Sequence, residues 1–251
     1  MIGAIIGDIA GSRFEFDNTL DYNFRLFDNR CSYTDDTICT LAVADAVLSK
    51  VSYKDSLVKW CKREPFPMGA YGLMFNQWID NPVPYGSYGN GAAMRISPIG
   101  WLFDSEEEVI SQSEKATIVS HSHIEGIKGA EAIALSIYLL RMTKDKSKAH
   151  KTAQTYYGIS YDKLVPRKGV WCDTCQGCVP LAIKLFMDSQ GFEDAIRLAV
   201  SYGGDSDTLG AIVGSLAEAY FGVPKEMEDK AMSYLPVEYK EVVYKFKKSV
   251  K

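Results

Sequence analysis

Two short polar stretches stand immediately before apolar runs: Thr34-Asp35-Asp36-Thr37 ahead of ICTLAVADAV, and Asp205-Ser206-Asp207-Thr208 ahead of LGAIVGSLAEAYF. A single oxygen-bearing side chain there is the usual N-cap of a helix, accepting a bond from a free backbone N–H. Taken alone, either stretch is satisfied by capping. Taken together, with Gly203-Gly204 ahead of the second, they look like two half-sites about 170 positions apart. Thr34, Asp35 and Asp36 offer a hydroxyl and two carboxylates to one side of an ion, and Asp205, Asp207 and Thr208 offer the same to the other. Hard cations such as Mg²⁺ take oxygen ligands of this kind. Asp36 or Asp207 has the chemistry to bridge two ions, and four carboxylates at close quarters repel strongly unless a cation compensates them. Within the first stretch the expectation is that Thr37 starts the helix while Thr34, Asp35 and Asp36 face the metals. The phosphatase pattern D-x-D-x-T does not fit, because DSDTL is one residue short and lies near the C-terminus.

The segment GSYGNGAAMR, residues 86–95, is the next signal. A glycine- and asparagine-rich loop opening a short apolar helix can turn its N–H groups toward phosphate oxygens. No Gly-Lys-Ser/Thr follows, so it is not a P-loop, and a tight interhelical loop remains the plain alternative. His121 and His123 precede another apolar run, and one further histidine, His150, completes the set. A histidine-rich zinc site is therefore not expected, and a histidine at a helix start reads as a solvated or capping residue. Cys172, Cys175 and Cys178 have C-x-x-C-x-x-C spacing but need a distant fourth ligand such as Cys31. The run CVPLAIKLF makes small buried residues the better reading. Glu15, a lone acid among aromatics in SRFEF, is undecided between surface and function on its own residues.

The elements that must position these groups are helices. Apolar residues 209, 212, 213, 216 and 220 follow helical spacing, and Ile38–Val47 is apolar around most of its circumference. Helices are also expected over 126–142, 178–187, 192–202 and 237–246. Period-2 alternation is scarce, although the apolar opening IGAIIGDIAG permits a short buried strand. Polar or Gly/Pro-rich stretches at 17–33, 80–91 and 158–177 read as long functional loops inside one all-α domain spanning residues 1–251. With 251 residues, 47% hydrophobic and 24% charged, the chain can bury a sizeable core. A net charge of −4 with interspersed signs argues against a nucleic-acid footprint. The start lacks a basic n-region and is interrupted by Asp8, and no apolar run reaches the roughly 18 residues of a membrane helix. Six cysteines then fit reduced thiols, and a cytoplasmic protein is expected.

In this order, GDIAGSRFEF, YTDDT, GSYGNGAAMR, SHSHIEGIKGA and GGDSDT resemble the motifs of the ADP-ribosylglycohydrolase family, from residue 2 to about residue 224. The resemblance implies an all-α domain with two Mg²⁺ ions (Mn²⁺ in some members) at the bottom of a cleft. The metal ligands it implies are Thr34, Asp35, Asp36, Asp205, Asp207 and Thr208. It makes Glu15 a leading candidate for acid–base work, with Asp36 the second. Gly86, Ser87, Tyr88, Gly89, Asn90 and Gly91 match the family loop that holds the diphosphate and flanks the adenine side of ADP-ribose. His121 matches a histidine along the ribose and phosphate side. Short bacterial members often read T-H-N-H-P-E-G where this chain has Ser120 to Gly126 without the proline, which alters the approach to the helix but keeps both histidines. The activity implied is hydrolysis of the glycosidic bond between ADP-ribose and a protein side chain or small acceptor. The rival readings are a non-catalytic ADP-ribose binder or structural homologue, and a metal-dependent nucleotide phosphohydrolase. The acceptor and the oligomeric state are not written in these motifs.

Overall fold

The chain turns from loop to helix where a short polar side chain accepts a backbone N–H, as Thr34, Ser52, Ser105 and His123 each do. The structure is a computed structural model describing residues 1–250. Its helices are α1 (Ile2–Gly11), α2 (Asp35–Ser49), α3 (Tyr53–Arg63), α4 (Leu73–Asp80), α5 (Gly91–Met94), α6 (Ser97–Leu102) and α7 (Glu106–Thr117). There follow α8 (Ile124–Thr143), α9 (Ser147–Tyr157), α10 (Cys175–Asp188), α11 (Phe192–Val200), α12 (Ser206–Phe221), α13 (Lys225–Tyr234) and α14 (Val237–Ser249). No strands pair into a sheet among the described residues, so the architecture is all-α as expected. Two isolated bridges, Thr34 with Met68 and Gly89 with Thr174, pin loops together beside the site. No helix among the described residues is long and apolar enough to cross a membrane.

The opening segment is a helix, not the strand its apolar run also allowed. The reason lies in its glycines. Gly3, Gly7 and Gly11 form one face of α1 and lie against the backbone of α12, where Gly210 and Gly214 face them. A Cβ at Gly3 would collide with the Gly214 carbonyl, and one at Gly7 with that of Gly210. The pairing 3 with 214, 7 with 210 and 11 with 206–207 makes the two helices antiparallel, so the C-terminal end of α1 meets the N-terminal end of α12.

α12 is buried along nearly its whole length and packs on α1, α8, α10 and α11, which places it at the centre of the core. α2 is equally enclosed: Ile38, Leu41, Ala42 and Val43 are all fully buried, which explains why its sequence is apolar on every side. The helices begin earlier than apolar spacing alone indicates. α2 starts at Asp35 and α10 at Cys175, because first-turn polar residues are helical without carrying the apolar period. The start of α2 also corrects one expectation. Thr34, not Thr37, is the cap, its hydroxyl accepting the Asp36 N–H at 3.2 Å. Thr37 sits in the first turn and bonds Asp8.

The α1–α12 contact sets the first prediction. Alanine in a helix interior normally gains about 1 kcal/mol over glycine. At Gly7 the collision with Gly210 reverses that sign, and Gly7→Ala is expected to lower the unfolding free energy by about 1–3 kcal/mol, the scale of overpacking. Gly191→Ala, where the added carbon meets open space, is expected to stay within about 0.5 kcal/mol of the parent. Urea midpoints of the two variants check the pair.

Candidate active site

α1 carries Asp8 to the point where the starts of α2 and α12 converge. Asp8 is fully buried and accepts from the N–H and hydroxyl of Thr34, at 3.1 and 2.8 Å, and from the N–H of Thr37 at 3.1 Å. The Thr37 hydroxyl donates to it as well. These bonds fix the first turn of α2, and with it the direction of Asp35 and Asp36. On the other side, Gly203 and Gly204 have φ of 78° and 82°, a conformation that glycine adopts without the Cβ penalty, and they lead the chain into α12 at Asp205. The Asn18 side chain links this turn to the Glu15 segment. It donates to Gly204 O at 2.8 Å and Phe14 O at 2.6 Å, and accepts from Gly204 N at 2.6 Å.

A cavity of about 370 Å³ opens over these helix starts. Asp35, Asp36, Asp205, Asp207 and Thr208 line it with Glu15, so the two stretches far apart in sequence share one cavity. Carboxylate oxygens of Glu15, Asp205 and Asp207 lie within 4.8 Å of one another. Asp36 Oδ2 is buried without a hydrogen-bond partner. Thr34 is fully buried behind this wall, its hydroxyl engaged by Asp8 and Asp36.

Ser87, Gly89, Asn90 and Gly91 line the same cavity, with His121, Arg95, Phe75, Tyr85, Trp171 and Asp173. Gly86 and Tyr88 do not line it. Gly86 makes the turn at φ 71°, and Tyr88, 47% exposed, packs edge-on against His123. The loop is held in place by its own amides: Gly89 N donates to Ser87 Oγ at 3.1 Å and Asn90 N to the Asp173 carbonyl at 2.8 Å. The Asn90 side chain donates to Asp205 Oδ2 at 2.6 Å, tying the loop to the acid cluster. The two histidines divide. His123 caps α8 by accepting Glu125 N–H at 3.1 Å, as expected for a helix start. His121 turns inward instead. Cys175 and Cys178 are buried beneath the loop, the former 3.2 Å from Gly89 O, in keeping with a packing role.

Three participants were not singled out in the sequence. In sequence, Asp8 is only an interruption in an apolar run. Asn18 sits in a polar loop with no motif around it. Arg95 closes the loop segment but carries no sequence signal of burial. It is 1% exposed and has no acidic partner, donating to Ser120 Oγ at 2.8 Å and Ala116 O at 3.4 Å. Its guanidinium also lies over the Phe75 ring.

The electrostatics follow from burial. Desolvation raises Asp35, Asp36, Asp205 and Asp207 above the ordinary carboxylate range, and neighbouring carboxylates add to this at Asp35, Asp36 and Asp207. Burial, and then the charges of Asp205 and Asp8, push Glu15 up to about 7. Burial raises Asp8 to about 6 against the bonds donated by Thr37 and Thr34. His121 is held well below its ordinary value by burial and by the Arg95 charge. The cavity lining thus combines a cluster of acids with a buried cation.

The sequence model of the ADP-ribosylglycohydrolase family matches residues 1–230. Among characterised proteins, ADP-ribosylhydrolase ARH3 of Danio rerio is 23% identical, the alignment covering 89% of this chain and 82% of that protein. ADP-ribosylarginine hydrolase Tri1 of Pseudomonas putida (strain GB-1) is 26% identical, over 92% of this chain and 72% of its own. A solved structure described as an ADP-ribosylglycohydrolase-related protein complex superposes with a TM-score of 0.77, covering 99% of this chain and 96% of its own at 21% identity. That likeness shows a common fold.

The raised carboxyls give a signed pH dependence. Folded Glu15 and Asp8 hold protons that the unfolded chain releases near the ordinary values of 4.5 and 3.8. The stability they contribute is full below those values and is lost as pH rises through about 6 and about 7. In chelator, the melting temperature is expected to fall between pH 5 and 8, and Glu15→Gln to flatten the fall. A melting temperature that climbs across this range would contradict the assignment.

Proposed function

The chain belongs to the ADP-ribosylglycohydrolase family, and from that premise and the charge layout of its cavity we propose a divalent-cation-dependent hydrolase that releases ADP-ribose from the acceptor to which it is glycosidically joined. The observation that carries the reading is one cavity lined both by an acid cluster and by residues of the 86–91 loop together with the buried Arg95. A ligand with a diol-bearing sugar at one end and a diphosphate in its middle suits both halves. ADP-ribose is such a molecule.

The acid end fits cations on its own chemistry. All its donors are oxygens, its carboxylates crowd one another, and Asp36 Oδ2 lacks any partner. We assign Thr34, Asp35, Asp36, Asp205, Asp207 and Thr208 as the residues that would hold two Mg²⁺ ions, with Mn²⁺ as the alternative hard cation. Thr34 joins through the free lone pair of a hydroxyl that Asp8 orients. Bound there, the cations would supply Lewis acidity and lower the pKa of an attacking water.

The protein's own groups divide the remaining work. Glu15 is partly exposed to the cavity and adjoins Asp205 and Asp207 without belonging to either helix start. It is the group placed to take a proton from water at the anomeric carbon and pass it to the departing acceptor, supporting an oxocarbenium-like transition state. Asp36, fully enclosed at the start of α2, is the weaker candidate for that role. Ser87, Gly89, Asn90, Gly91 and His121 bind and orient the ADP-ribosyl half. Asn90, bonded to Asp205, keeps that half in register with the acids.

The test is release of free ADP-ribose from ADP-ribosylated arginine, serine and nucleobase substrates with Mg²⁺ or Mn²⁺ present. Asp35→Ala and Asp207→Ala are each expected to cost more than about a hundredfold, since even outer-shell partners of metal ligands cost about 10–100-fold. Chelation is expected to abolish turnover, and restored Mn²⁺ to recover it and raise the melting temperature by mass action. Undiminished release by these variants, or after complete metal removal, defeats the metal-centred reading. Tight ADP-ribose binding with no turnover of any linkage would favour the binder, and AMP formation the phosphohydrolase.

A further inference from the structure

His121 is the one histidine that faces the cavity, and its environment determines which ring nitrogen carries the proton. Its Nδ1 lies 2.8 Å from Ser120 Oγ, and that oxygen lies 2.8 Å from Arg95 Nη2. All three residues are buried, at 5%, 0% and 1% exposure. A guanidinium has donors only, so Ser120 Oγ must accept from Arg95. The hydroxyl proton of Ser120 then has a single acceptor among the described residues, His121 Nδ1. A proton on Nδ1 instead would give Ser120 Oγ two incoming donors and strand its own hydroxyl proton in the core. Leaving a buried donor unmade disfavours that arrangement by about tenfold or more.

We propose that Arg95 and Ser120 form a relay that fixes the His121 tautomer, so that the ring presents a standing Nε2–H donor to the 86–91 loop. The placement of Nε2 fits this role. A Cβ added at Gly91 would stand 3.3 Å from it, and one at Gly89 3.6 Å, so the donor edge of the ring borders the loop. Phe75 and Tyr85 pack against the ring at centroid distances of 6.3 and 6.1 Å and hold its plane. Burial, and then the neighbouring Arg95 charge, oppose a second proton on the imidazole. The result is a neutral donor that needs no reorganisation when an anionic oxygen arrives. Arg95 and Ser120 are positioning residues, acting through His121. What the donor meets rests on the proposed ADP-ribosyl reading, whereas the tautomer does not.

The chain has three histidines, so long-range ¹H–¹⁵N correlation spectra of the whole protein can assign each ring. The expected result without ligand is a neutral His121 with Nδ1 unprotonated and Nε2 protonated from pH 6 to 8. An Nδ1–H tautomer, or an imidazolium in this range, overturns the relay. Ser120→Ala is expected to weaken ADP-ribose binding about tenfold, the worth of one well-placed hydrogen bond. Ser120→Thr, which keeps the hydroxyl, is expected to restore affinity to within about twofold. Mn²⁺ affinity should be the same in all three proteins, because the carboxylates are untouched; a parallel loss there would mean general damage and overturn the assignment. Equal ADP-ribose affinity in the parent and Ser120→Ala also overturns it. Absence of ADP-ribose binding by the parent would instead strike the functional reading, and the spectra would still decide the relay.

Discussion

The close approach of α1 to α12 is the constraint on which the site depends. Helix axes can come this near only where side chains are absent, and each interior glycine costs about 0.5–1 kcal/mol of helix stability relative to alanine. The chain accepts that cost at Gly3, Gly7, Gly210 and Gly214, which face one another across the contact. The return is position. Because the helices are antiparallel, the end of α1 that carries Asp8, and the turn after it that carries Glu15, arrive beside the first turn of α12. A wider separation would move Asp8 and Glu15 away from Asp207 by the same amount.

Gathering so many acids is unfavourable, and the architecture offsets it in several ways. α2 and α12 both begin at the site, so the positive ends of two helix dipoles face the carboxylates. Asn90 and Thr208 supply neutral donors to the cluster: Asn90 Nδ2 bonds Asp205, and the Thr208 N–H bonds Asp207 Oδ1 at 2.9 Å. The remaining imbalance shows as raised carboxyl pKa values and as the unsatisfied Asp36 Oδ2. Arg95 is the mirror image, a buried cation without an acid opposite. A cluster of crowded acids and a buried cation lining one cavity are costly to fold around. They make sense together if a ligand carries the matching pattern.

The parts of this site that could be read in the sequence are those whose meaning is local. Thr34-Asp35-Asp36-Thr37 and Asp205-Ser206-Asp207-Thr208 are each contiguous, and each begins a helix, so composition and position alone single them out. The 86–91 loop announces itself by its glycines. The division of labour between Thr34 and Thr37 was misjudged because the deciding partner, Asp8, is about 26 positions away and lies on a helix whose apolar run also suited a strand. The four-residue glycine spacing was present in the sequence, but its meaning appears only when two such faces meet. Arg95, Ser120 and Asn18 have the same character. Each is an ordinary residue in sequence, and each takes its role from a partner on another element. The shorter and more polar helices α3 and α7 are held by the Ser52 and Ser105 caps and by one buried edge, which leaves few apolar residues to read.

The layout also separates what is fixed from what is adaptable. Asp8, Asp35, Asp36, Asp205 and Asp207 are carried on helices or at their starts, and Asp8, Asp205 and Arg95 are held by buried bonds. The lip of the cavity is built from loops. Phe16, 76% exposed, stacks at 5.9 Å and 12° on Trp171, which is itself half-exposed. The two aromatics come from different long loops, one following α1 and one preceding α10. The Asn18 bonds to Gly204 anchor the first of these loops to the base of α12, so its tip can vary in sequence without disturbing Asp205. The clustered aspartates therefore sit on or at the starts of packed helices, whereas Phe16 and Trp171 sit on loops, where residues can change at little structural cost.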